Sequence, residues 1–345
     1  MRAAVFREFG GPLAVEEIQD PAPPADGVVV EVGATGICRS DWHAWMGHDP
    51  DVAPPHVPGH ELAGTVVSVG VDVLGEWLGE RVTVPFCLGC GRCAPCMAGE
   101  TQICDFDYQP GFTGPGSFAQ YVALPRADLN LVRLPEPLGF TEAAALGCRF
   151  MTAYAAVTVH GRPREGDWVA VHGCGGVGLS AVMIAVAAGA RVAAVDIDPA
   201  KLALARELGA ELAFDARDGD PAAAVVEGTG GGAHVALDAL GSAATCAASV
   251  GSLRKRGRHV QVGLMVGDER SVPVPMSRVI SHELELAGVH GMAVRHYPAL
   301  LDAIAAGRLE PARLIGATVA LEDAGAELAA MGGFARHGTT VITSF

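Results

Sequence analysis

Four cysteines at short spacing form the sharpest local chemical signal in this sequence. Cys90, Cys93, Cys96 and Cys104 lie in one glycine-containing stretch, with two, two and seven residues between them. Thiolates at such spacing can converge tetrahedrally on one Zn²⁺ ion, and a site closed by four protein ligands is structural rather than catalytic. An iron–sulfur cluster uses similar spacings and is the alternative. Cys87 could replace one of these ligands. The long interval before Cys104 nevertheless favours the four cysteines from Cys90 to Cys104.

A glycine-rich loop follows the predicted strand Trp168–Val171 and opens an apolar helix that reaches about Ala188. The residues of the loop are Gly173, Cys174, Gly175, Gly176, Val177 and Gly178. Such glycines let the backbone approach a pyrophosphate at the helix N-terminus, and Asp196, at the end of the next apolar strand, would accept hydrogen bonds from the ribose hydroxyls. Because Asp196 and Asp198 would repel a 2′-phosphate, the pattern predicts NAD rather than NADP.

Three further segments carry side chains that could bind a metal or move protons. Their residues are Cys38, Ser40, Asp41 and His43, then His60 and Glu61, then Cys148. Cys38, His60 and Cys148 would make a Cys2His set with one open position, which is the ligand set of a catalytic zinc ion in enzymes of alcohol oxidation. Spacing alone does not establish this grouping, because Cys38 and Cys148 lie more than 100 residues apart.

Two kinds of element must position these residues. Before about residue 165, short apolar runs between Gly and Pro predict an irregular β-rich region with strands at Ala3–Phe6, Val28–Val32, Gly64–Val69 and Arg81–Val84. Beyond it, strands and helices alternate, which is typical of a parallel sheet with crossovers; they are Arg191–Val195, Pro199–Leu208, Glu211–Phe214, Pro221–Glu227, His234–Asp238, Ala243–Ser252 and His259–Gly263. The tail predicts helices at Tyr297–Ala306 and Glu322–Met331 and a strand at Thr340–Thr343.

Composition excludes several classes of protein. The chain has 345 residues, of which half are hydrophobic and 45 are glycine, so it is neither disordered nor fibrous and has room for about two domains. A formal net charge of −15 argues against nucleic acid or an anionic membrane as a partner. The start lacks the apolar region of a signal peptide, so we expect a cytoplasmic protein whose nine cysteines stay reduced.

Taken together, the motifs resemble the zinc-dependent alcohol dehydrogenases of the medium-chain dehydrogenase/reductase superfamily over essentially the whole chain. The matching segments are GICRSDWH at 36–43, GHELAG at 59–64, the four-cysteine loop, LGCRF at 146–150, the glycine-rich loop and VDID at 195–198. The resemblance implies an α/β fold with a GroES-like β-rich catalytic domain over 1–152 and a Rossmann, doubly wound parallel-sheet coenzyme domain over 153–288. It also implies that residues 289–345 return to the catalytic domain.

Site roles follow from the same resemblance. Cys38, His60 and Cys148 match the catalytic zinc ligands, and Glu61 matches the neighbouring carboxylate that can enter the coordination shell. Asp41 matches the group that orients the liganding histidine. The residues that match a proton relay are Ser40 and His43.

Cofactor and substrate contacts are implied by position as well. The cofactor-binding set comprises Arg39 at the pyrophosphate, Lys201 at the adenosine ribose, and Thr152, Val262, Gly263 and Leu264 beside the nicotinamide. The substrate pocket would be lined by Phe86 and Phe112, with Trp45 as an addition. Some family members carry a C-terminal arginine that contacts the carboxylate beside the zinc ligand. This chain has Thr340 there, so Arg149 or Arg336 is the candidate partner of Glu61.

The sequence therefore predicts reversible hydride transfer between a primary or secondary alcohol and NAD, with one catalytic and one structural zinc ion per chain. A polyol or sugar-type dehydrogenase is an alternative, although many of those use a carboxylate in place of Cys148. A zinc-free quinone or enoyl reductase usually lacks both cysteine sets, and a non-enzymatic dinucleotide-binding protein would not need the second set. The expected partner is a small alcohol, aldehyde or ketone, and we expect a homotetramer or homodimer.

Overall fold

The computed structural model describes residues 1–266, 270–333 and 338–345. The chain divides into two compact units. Unit 1 contains Met1–Met151 and Gly291–Phe345, and unit 2 contains Thr152–His290.

The first part of unit 1 is built mainly of strands. These are β1 (Arg2–Phe6), β2 (Leu13–Glu17), β3 (Val28–Ile37), β4 (Glu61–Val69), β5 (Arg81–Thr83), β6 (Tyr121–Leu124) and β7 (Val132–Arg133). Short helices occupy the connections: α1 (Arg39–Trp45), α2 (Ala94–Met97), α3 (Ala127–Asn130), α4 (Phe140–Ala145) and α5 (Cys148–Tyr154). A π-helical segment, Ala155–Gly161, follows α5.

Strands and helices alternate in unit 2, as the sequence predicts. The strands are β8 (Trp168–His172), β9 (Arg191–Asp196), β10 (Leu212–Asp215), β11 (Ala233–Asp238), β12 (Leu253–Gln261) and β13 (Glu285–Gly288). The helices are α6 (Gly176–Ala187), α7 (Pro199–Glu207), α8 (Pro221–Gly228), α9 (Ala243–Gly251) and α10 (Met276–His282). Asp198 and Asp220 cap α7 and α8 by accepting backbone N–H groups, and a proline follows each cap.

The chain then completes unit 1 with α11 (Tyr297–Ala305), β14 (Ile315–Ala320), α12 (Ala324–Ala330) and β15 (Thr339–Ser344). The larger sheet of this unit has the order β14-β15-β3-β4-β5-β7, with β6 paired to β3, while β1 and β2 pair separately. The pairing of β3 with β4 is antiparallel and sets Gly36 opposite Glu61. This register brings the end of β3 beside the start of β4, where two of the predicted site segments lie.

Unit 2 is a six-stranded, all-parallel sheet of order β10-β9-β8-β11-β12-β13. The central strand β8 is buried along its whole length, which explains its continuous apolar sequence. The doubly wound order confirms the predicted fold class for this half of the chain. None of the helices in the described ranges is long and apolar enough to cross a membrane.

Some elements escape the sequence patterns. Strand β12 begins at Leu253, six residues before the predicted start, because the charged run that follows Leu253 hides its strand character. Strands β2 and β14 are half-exposed and carry no strong apolar run. Helix α1 was not predicted because its seven residues are too few for a periodic pattern.

Candidate metal centres and cofactor site

The four-cysteine loop is folded so that its thiols meet. The Sγ atoms of Cys90, Cys93, Cys96 and Cys104 all lie within 4.8 Å of one another. Backbone N–H groups point at the sulfurs, from Cys90 to Cys104 at 3.2 Å and from Cys93 to Cys90 at 3.3 Å. A hydrogen bond from the backbone of Arg92 lowers the pKa of Cys90 to about 6. The loop thus presents a closed set of four sulfur donors suited to one tetrahedral metal ion.

Cys87 lies outside that set of four. Its thiol is buried and donates a hydrogen bond to Asp107, with Sγ 3.4 Å from Oδ2. Burial and the Asp107 carboxylate raise the pKa of Cys87 far above its usual range. Because the Cys87 thiol is directed at Asp107 and does not join the four sulfurs that meet, the geometry favours Cys90 over Cys87 as the first ligand.

A second group gathers residues that are distant in sequence. The ligand atoms of Cys38, His60, Glu61 and Cys148 lie within 4.8 Å of one another. Cys38 caps α1 just after β3, His60 and Glu61 stand at the start of β4, and Cys148 opens α5. A hydrogen bond from Cys148 lowers the pKa of Cys38 well below its usual range in spite of its burial.

Asp41 determines which nitrogen of His60 is available. The Nδ1 atom of His60 donates to Asp41 Oδ1 at 2.9 Å, and both side chains are buried. Asp41 also accepts the backbone N–H groups of Cys38 at 2.8 Å and Gly59 at 3.0 Å. The buried Nε2 atom of His60 makes no hydrogen bond of normal geometry to any described residue. Buried nitrogen atoms normally have a hydrogen-bond partner. Since His60 Nε2 has none and lies beside the thiols of Cys38 and Cys148, coordination to a zinc ion would supply the missing partner.

Glu61 is completely buried and is held by Arg149. Arg149 donates from Nε to Oε1 at 3.1 Å, from its backbone N to Oε1 at 3.2 Å, and from Nη2 to Oε2. Burial raises the pKa of Glu61, and the Arg149 guanidinium opposes this effect. The other candidate partner, Arg336, lies outside the described residues. Thr340 pairs with Ile37 between strands and donates to Glu327 at 3.4 Å.

Helix α1 carries the predicted relay residues. His43 Nδ1 lies 3.0 Å from His48 Nδ1, and His48 is exposed. Burial and the neighbouring Arg39 charge lower the pKa of His43 to about 4. Arg39 itself stacks over Trp42 at 4.6 Å and donates to the Met331 carbonyl. Ser40 lies beside the metal group, with its Oγ atom 3.8 Å from Cys38 Sγ.

The predicted pocket residues differ in their surroundings. The rings of Phe112 and Phe86 meet the His60 ring edge-on, with centroids 5.2 and 6.1 Å away. Both phenylalanines therefore line the immediate environment of the candidate metal ligand. Trp45 instead packs against a small core cluster that contains Phe112, and its Nε1 donates to the Gly11 carbonyl at 2.8 Å.

The glycine-rich loop of unit 2 has the geometry of a phosphate cradle. Gly173 has a φ of +92°, and a Cβ atom at Gly178 would lie 1.8 Å from the Gly173 carbonyl oxygen. A Cβ atom at Gly175, in contrast, would meet nothing within 4 Å, so the start of α6 has free space in front of it. Backbone amides beside such a space, at the positive end of a helix dipole, fit a pyrophosphate.

Asp196 ends β9 beside this loop. Its carboxylate accepts the backbone N–H groups of Cys174 at 2.6 Å and Asp198 at 2.9 Å, which leaves lone pairs for other donors. The Nζ atom of Lys201 lies 4.0 Å from Asp198. The structure therefore brings Asp196, Asp198 and Lys201 together in unit 2.

Sequence reasoning missed Asp238, which organises another loop of unit 2. Its fully buried carboxylate accepts N–H groups from Leu240 at 2.9 Å, Gly241 at 3.0 Å and the Gln261 amide at 3.1 Å. Its carbonyl accepts the backbone N–H groups of Val262 and Gly263. Asp238 ends an apolar strand just as Asp196 does, which is the signal that could have identified it.

The remaining predicted cofactor residues lie apart from the glycine-rich loop in sequence. Thr152 is buried in α5, and Val262 and Gly263 follow β12. Leu264 is about half exposed, at 52%.

Comparison with known proteins places this geometry among dehydrogenases. Residues 24–136 match the family model "Alcohol dehydrogenase GroES-like domain", and residues 176–306 match "Zinc-binding dehydrogenase". An alcohol dehydrogenase of Moraxella sp. (strain TAE123) is 37% identical over 313 residues, which cover 90% of each chain. An alcohol dehydrogenase of Rhizobium meliloti (strain 1021) is 42% identical over 270 residues, which cover 77% of this chain and 78% of the relative.

This chain is also similar to solved structures of dehydrogenases. An NAD-dependent alcohol dehydrogenase is 32% identical, with a TM-score of 0.91 over the full length of both chains. A zinc-binding dehydrogenase from Sinorhizobium meliloti 1021, solved with NADP, is 29% identical, with a TM-score of 0.87 over 99% of this chain and 98% of the other.

Proposed function

Since this chain belongs to the zinc-type alcohol dehydrogenase family of the medium-chain dehydrogenases and reductases, we propose that it interconverts a primary or secondary alcohol with its aldehyde or ketone, using NAD. The observation that carries the proposal is the buried group of Cys38, His60 and Cys148, with His60 Nε2 lacking a hydrogen bond among the described residues. We assign the catalytic domain to 1–152 and 289–345 and the coenzyme domain to 153–288.

Each residue of the centre has a separate task. Cys38, His60 and Cys148 hold a zinc ion, and Asp41 keeps His60 in the tautomer that exposes Nε2. Zinc supplies a Lewis acid that lowers the pKa of the alcohol hydroxyl, much as it lowers that of water from ~15.7 to about 7. The edges of Phe86 and Phe112 provide an apolar wall that suits the carbon chain of the alcohol.

Ser40 and His43 carry the alcohol proton outward. A lowered pKa keeps the His43 ring neutral near pH 7, so it can accept a proton while its Nδ1 atom remains hydrogen-bonded to the exposed His48. The contact between the two rings gives the proton a path to solvent.

Trp45 is the weakest of the proposed pocket residues, because it packs within a core cluster.

The coenzyme is NAD rather than NADP. The glycine-rich loop and the N-terminus of α6 bind the pyrophosphate, and Asp196 and Lys201 bind the adenosine ribose. Two carboxylates, Asp196 and Asp198, disfavour a 2′-phosphate at this position. Arg39 would contact the pyrophosphate, and the residues that would surround the nicotinamide, the group that would supply the hydride acceptor, are Thr152, Val262, Gly263 and Leu264.

The four-cysteine loop binds a second, structural zinc ion. All four positions around that ion are filled by Cys90, Cys93, Cys96 and Cys104, so no position is open to substrate. None of the nine cysteines, all of which the structure describes, forms a disulfide, which supports a reducing compartment such as the cytoplasm.

The working form is a homodimer or homotetramer. In the described part of unit 2, β13 is one of the two edge strands of the sheet. Leu286 on β13 is 43% exposed, and Ile280 on α10 is 75% exposed. An open strand edge with exposed apolar side chains supports pairing with a second copy. Light scattering on wild type and on Leu286→Lys tests this, and a monomeric wild type would contradict it.

Elemental analysis of wild type and Cys148→Ala tests the two metal sites. We expect close to two zinc ions per wild-type chain and close to one in the variant, because only the open centre loses a ligand. One zinc ion per wild-type chain, unchanged by the substitution, would contradict the grouping. A panel of simple alcohols and polyols, with NAD and NADP in parallel, then tests the reaction, and higher kcat/KM with NADP would overturn the coenzyme assignment.

A further inference from the structure

The open metal centre contains one potential ligand too many. Four side chains, Cys38, His60, Glu61 and Cys148, bring ligand atoms within 4.8 Å of one another, while an alcohol must find a free position. If Glu61 bound the metal, a four-coordinate zinc ion would be closed. The fate of the Glu61 carboxylate therefore decides whether the centre is catalytic.

Arg149 already occupies both oxygens of that carboxylate. Three N–H groups of Arg149 contact Glu61: Nε and the backbone N on Oε1, and Nη2 on Oε2. The glutamate is fully buried, and only 11% of the Arg149 side chain is exposed. A bidentate ion pair of this kind holds a carboxylate in one orientation, which a lysine could not do with its single side-chain nitrogen.

Two glycines let the backbone approach the Glu61 side chain closely, where any larger residue would displace it. A Cβ atom at Gly36 would lie 2.3 Å from Glu61 Oε2 and 3.2 Å from Arg149 Nη2. A Cβ atom at Gly147 would lie 2.4 Å from Glu61 Cβ. Since Gly147, Cys148 and Arg149 are consecutive, one short segment supplies the space for Glu61, a candidate metal ligand and the cation that holds Glu61.

Charge favours the same arrangement. A Zn²⁺ ion with two thiolates and a neutral histidine has no net charge, and the Arg149–Glu61 pair beside it has none either. Removing Arg149 would leave a buried carboxylate without a counter-ion, at high free-energy cost. The metal ion, a Lewis acid with an open coordination position, is then the electron-pair acceptor within reach of Glu61.

We propose that Arg149 is a positioning residue that keeps Glu61 off the catalytic metal and so keeps the fourth position open. The inference rests on the proposed function only in requiring a metal ion at Cys38, His60 and Cys148. Without Arg149, Glu61 turns toward the metal and closes the position.

Cobalt-substituted protein gives a test that does not depend on turnover. Co²⁺ replaces Zn²⁺ in wild type, Arg149→Met, Glu61→Gln and the double variant, and imidazole is titrated while the visible absorption of the metal is recorded. Imidazole needs a free position, so we expect it to change the wild-type spectrum and to bind at least tenfold more weakly to Arg149→Met. The double variant, which lacks the competing carboxylate, regains affinity within about threefold of Glu61→Gln.

Each outcome has a distinct meaning. Wild-type imidazole affinity in Arg149→Met would overturn the inference, as would failure of the double variant to recover. If Arg149→Met does not fold, Arg149→Lys takes its place, because it keeps the charge but not the bidentate contact. Wild-type imidazole affinity in Arg149→Lys would contradict the inference equally. A wild-type chain that holds only one Co²⁺ ion, unaltered by Cys148→Ala, would instead overturn the proposed metal centre itself.

Discussion

Asp41 is a buried carboxylate whose hydrogen bonds connect three parts of the candidate centre. It accepts the Nδ1–H group of His60 and the backbone N–H groups of Cys38 and Gly59. Two of these donors belong to proposed metal ligands, so one side chain sets both the position of a thiol and the tautomer of a histidine. Such partners of metal ligands commonly contribute 10–100-fold to metal affinity or activity.

Replacing Asp41 should therefore weaken metal binding although Asp41 is not itself a proposed ligand. We expect Asp41→Ala to weaken zinc affinity roughly 10–100-fold and to destabilise the protein by about 3 kcal/mol, because buried donors lose their acceptor. Asp41→Asn retains one carbonyl acceptor, so its zinc affinity and its stability should lie between those of wild type and Asp41→Ala. Competition with a zinc chelator and urea unfolding measure both effects, and wild-type zinc affinity in Asp41→Ala would contradict the assignment.

A second residue-scale prediction concerns the protonation of His43. Burial and the Arg39 charge lower its pKa to about 4, so the folded protein keeps this ring neutral between pH 5.5 and 8. Nuclear magnetic resonance of labelled histidines, with the signal assigned by His43→Gln, should show no titration near pH 6.5. In Arg39→Gln the pKa of His43 should rise, since one neighbouring positive charge is gone. An ordinary midpoint near 6.5 in wild type would contradict the buried environment beside Arg39 that lowers the pKa of His43.

At the scale of elements, the turn from β8 into α6 combines two demands on glycine. One is steric, because the helix start at Gly178 touches the loop backbone at Gly173. The other is functional, because Gly175 faces the space proposed for the pyrophosphate. The same motif thus contains one glycine for folding and another for binding, and two substitutions can separate them.

Gly178→Ala and Gly175→Ala form a matched pair. We expect Gly178→Ala to destabilise the protein by about 2–3 kcal/mol, because its Cβ atom would meet the Gly173 carbonyl oxygen. Gly175→Ala should keep wild-type stability, since its φ of −77° suits alanine and no described atom is in the way. It should nevertheless weaken NAD binding at least tenfold. Urea unfolding and NAD titration by fluorescence measure the two effects, and NAD binding at full strength to Gly175→Ala would overturn the proposed position of the pyrophosphate.

At the scale of the whole molecule, buried histidines link stability to pH. His172 ends β8, is fully buried in unit 2 and lies 3.2 Å from the Ser252 hydroxyl. Burial and the nearby His259 lower the pKa of His172 to about 3. An unfolded chain binds this proton with a pKa of about 6.5, so the unfolded state takes up more protons as the pH falls below that value. Folding stability contributed by neutral His172 is present above pH 6.5 and is lost toward pH 3.

Acid should therefore destabilise the protein before its carboxylates are protonated. Between pH 7 and pH 5, we expect His172 alone to account for a loss of about 2 kcal/mol in the free energy of unfolding. Residue 172 cannot titrate in His172→Gln. Between pH 7 and pH 5, the free energy of unfolding of this variant should therefore fall by about 2 kcal/mol less than that of wild type. Urea unfolding at the two pH values measures this, and equal losses in wild type and variant would show that His172 is protonated without cost.

The local motifs were predictable from sequence because their geometry is set within a single loop. Four thiols within 15 residues, from Cys90 to Cys104, can meet without help from the rest of the chain. The glycine-rich loop likewise lies between one strand and one helix, whose periodicities are visible in the sequence. The parallel sheet follows from the alternation of such elements, so the fold class was accessible too.

The open metal centre depends on tertiary structure. Cys38, His60 and Cys148 come together only because β3 pairs with β4 in one register and α5 begins beside that pair. The choice of Arg149 as the partner of Glu61, which the sequence left open, is likewise decided by packing around Gly36 and Gly147. Spacing along a chain restricts only nearby residues, whereas strand register and buried charge determine which distant side chains meet. The motif resemblance could name the ligands, but only the folded chain shows the hydrogen bonds that hold them.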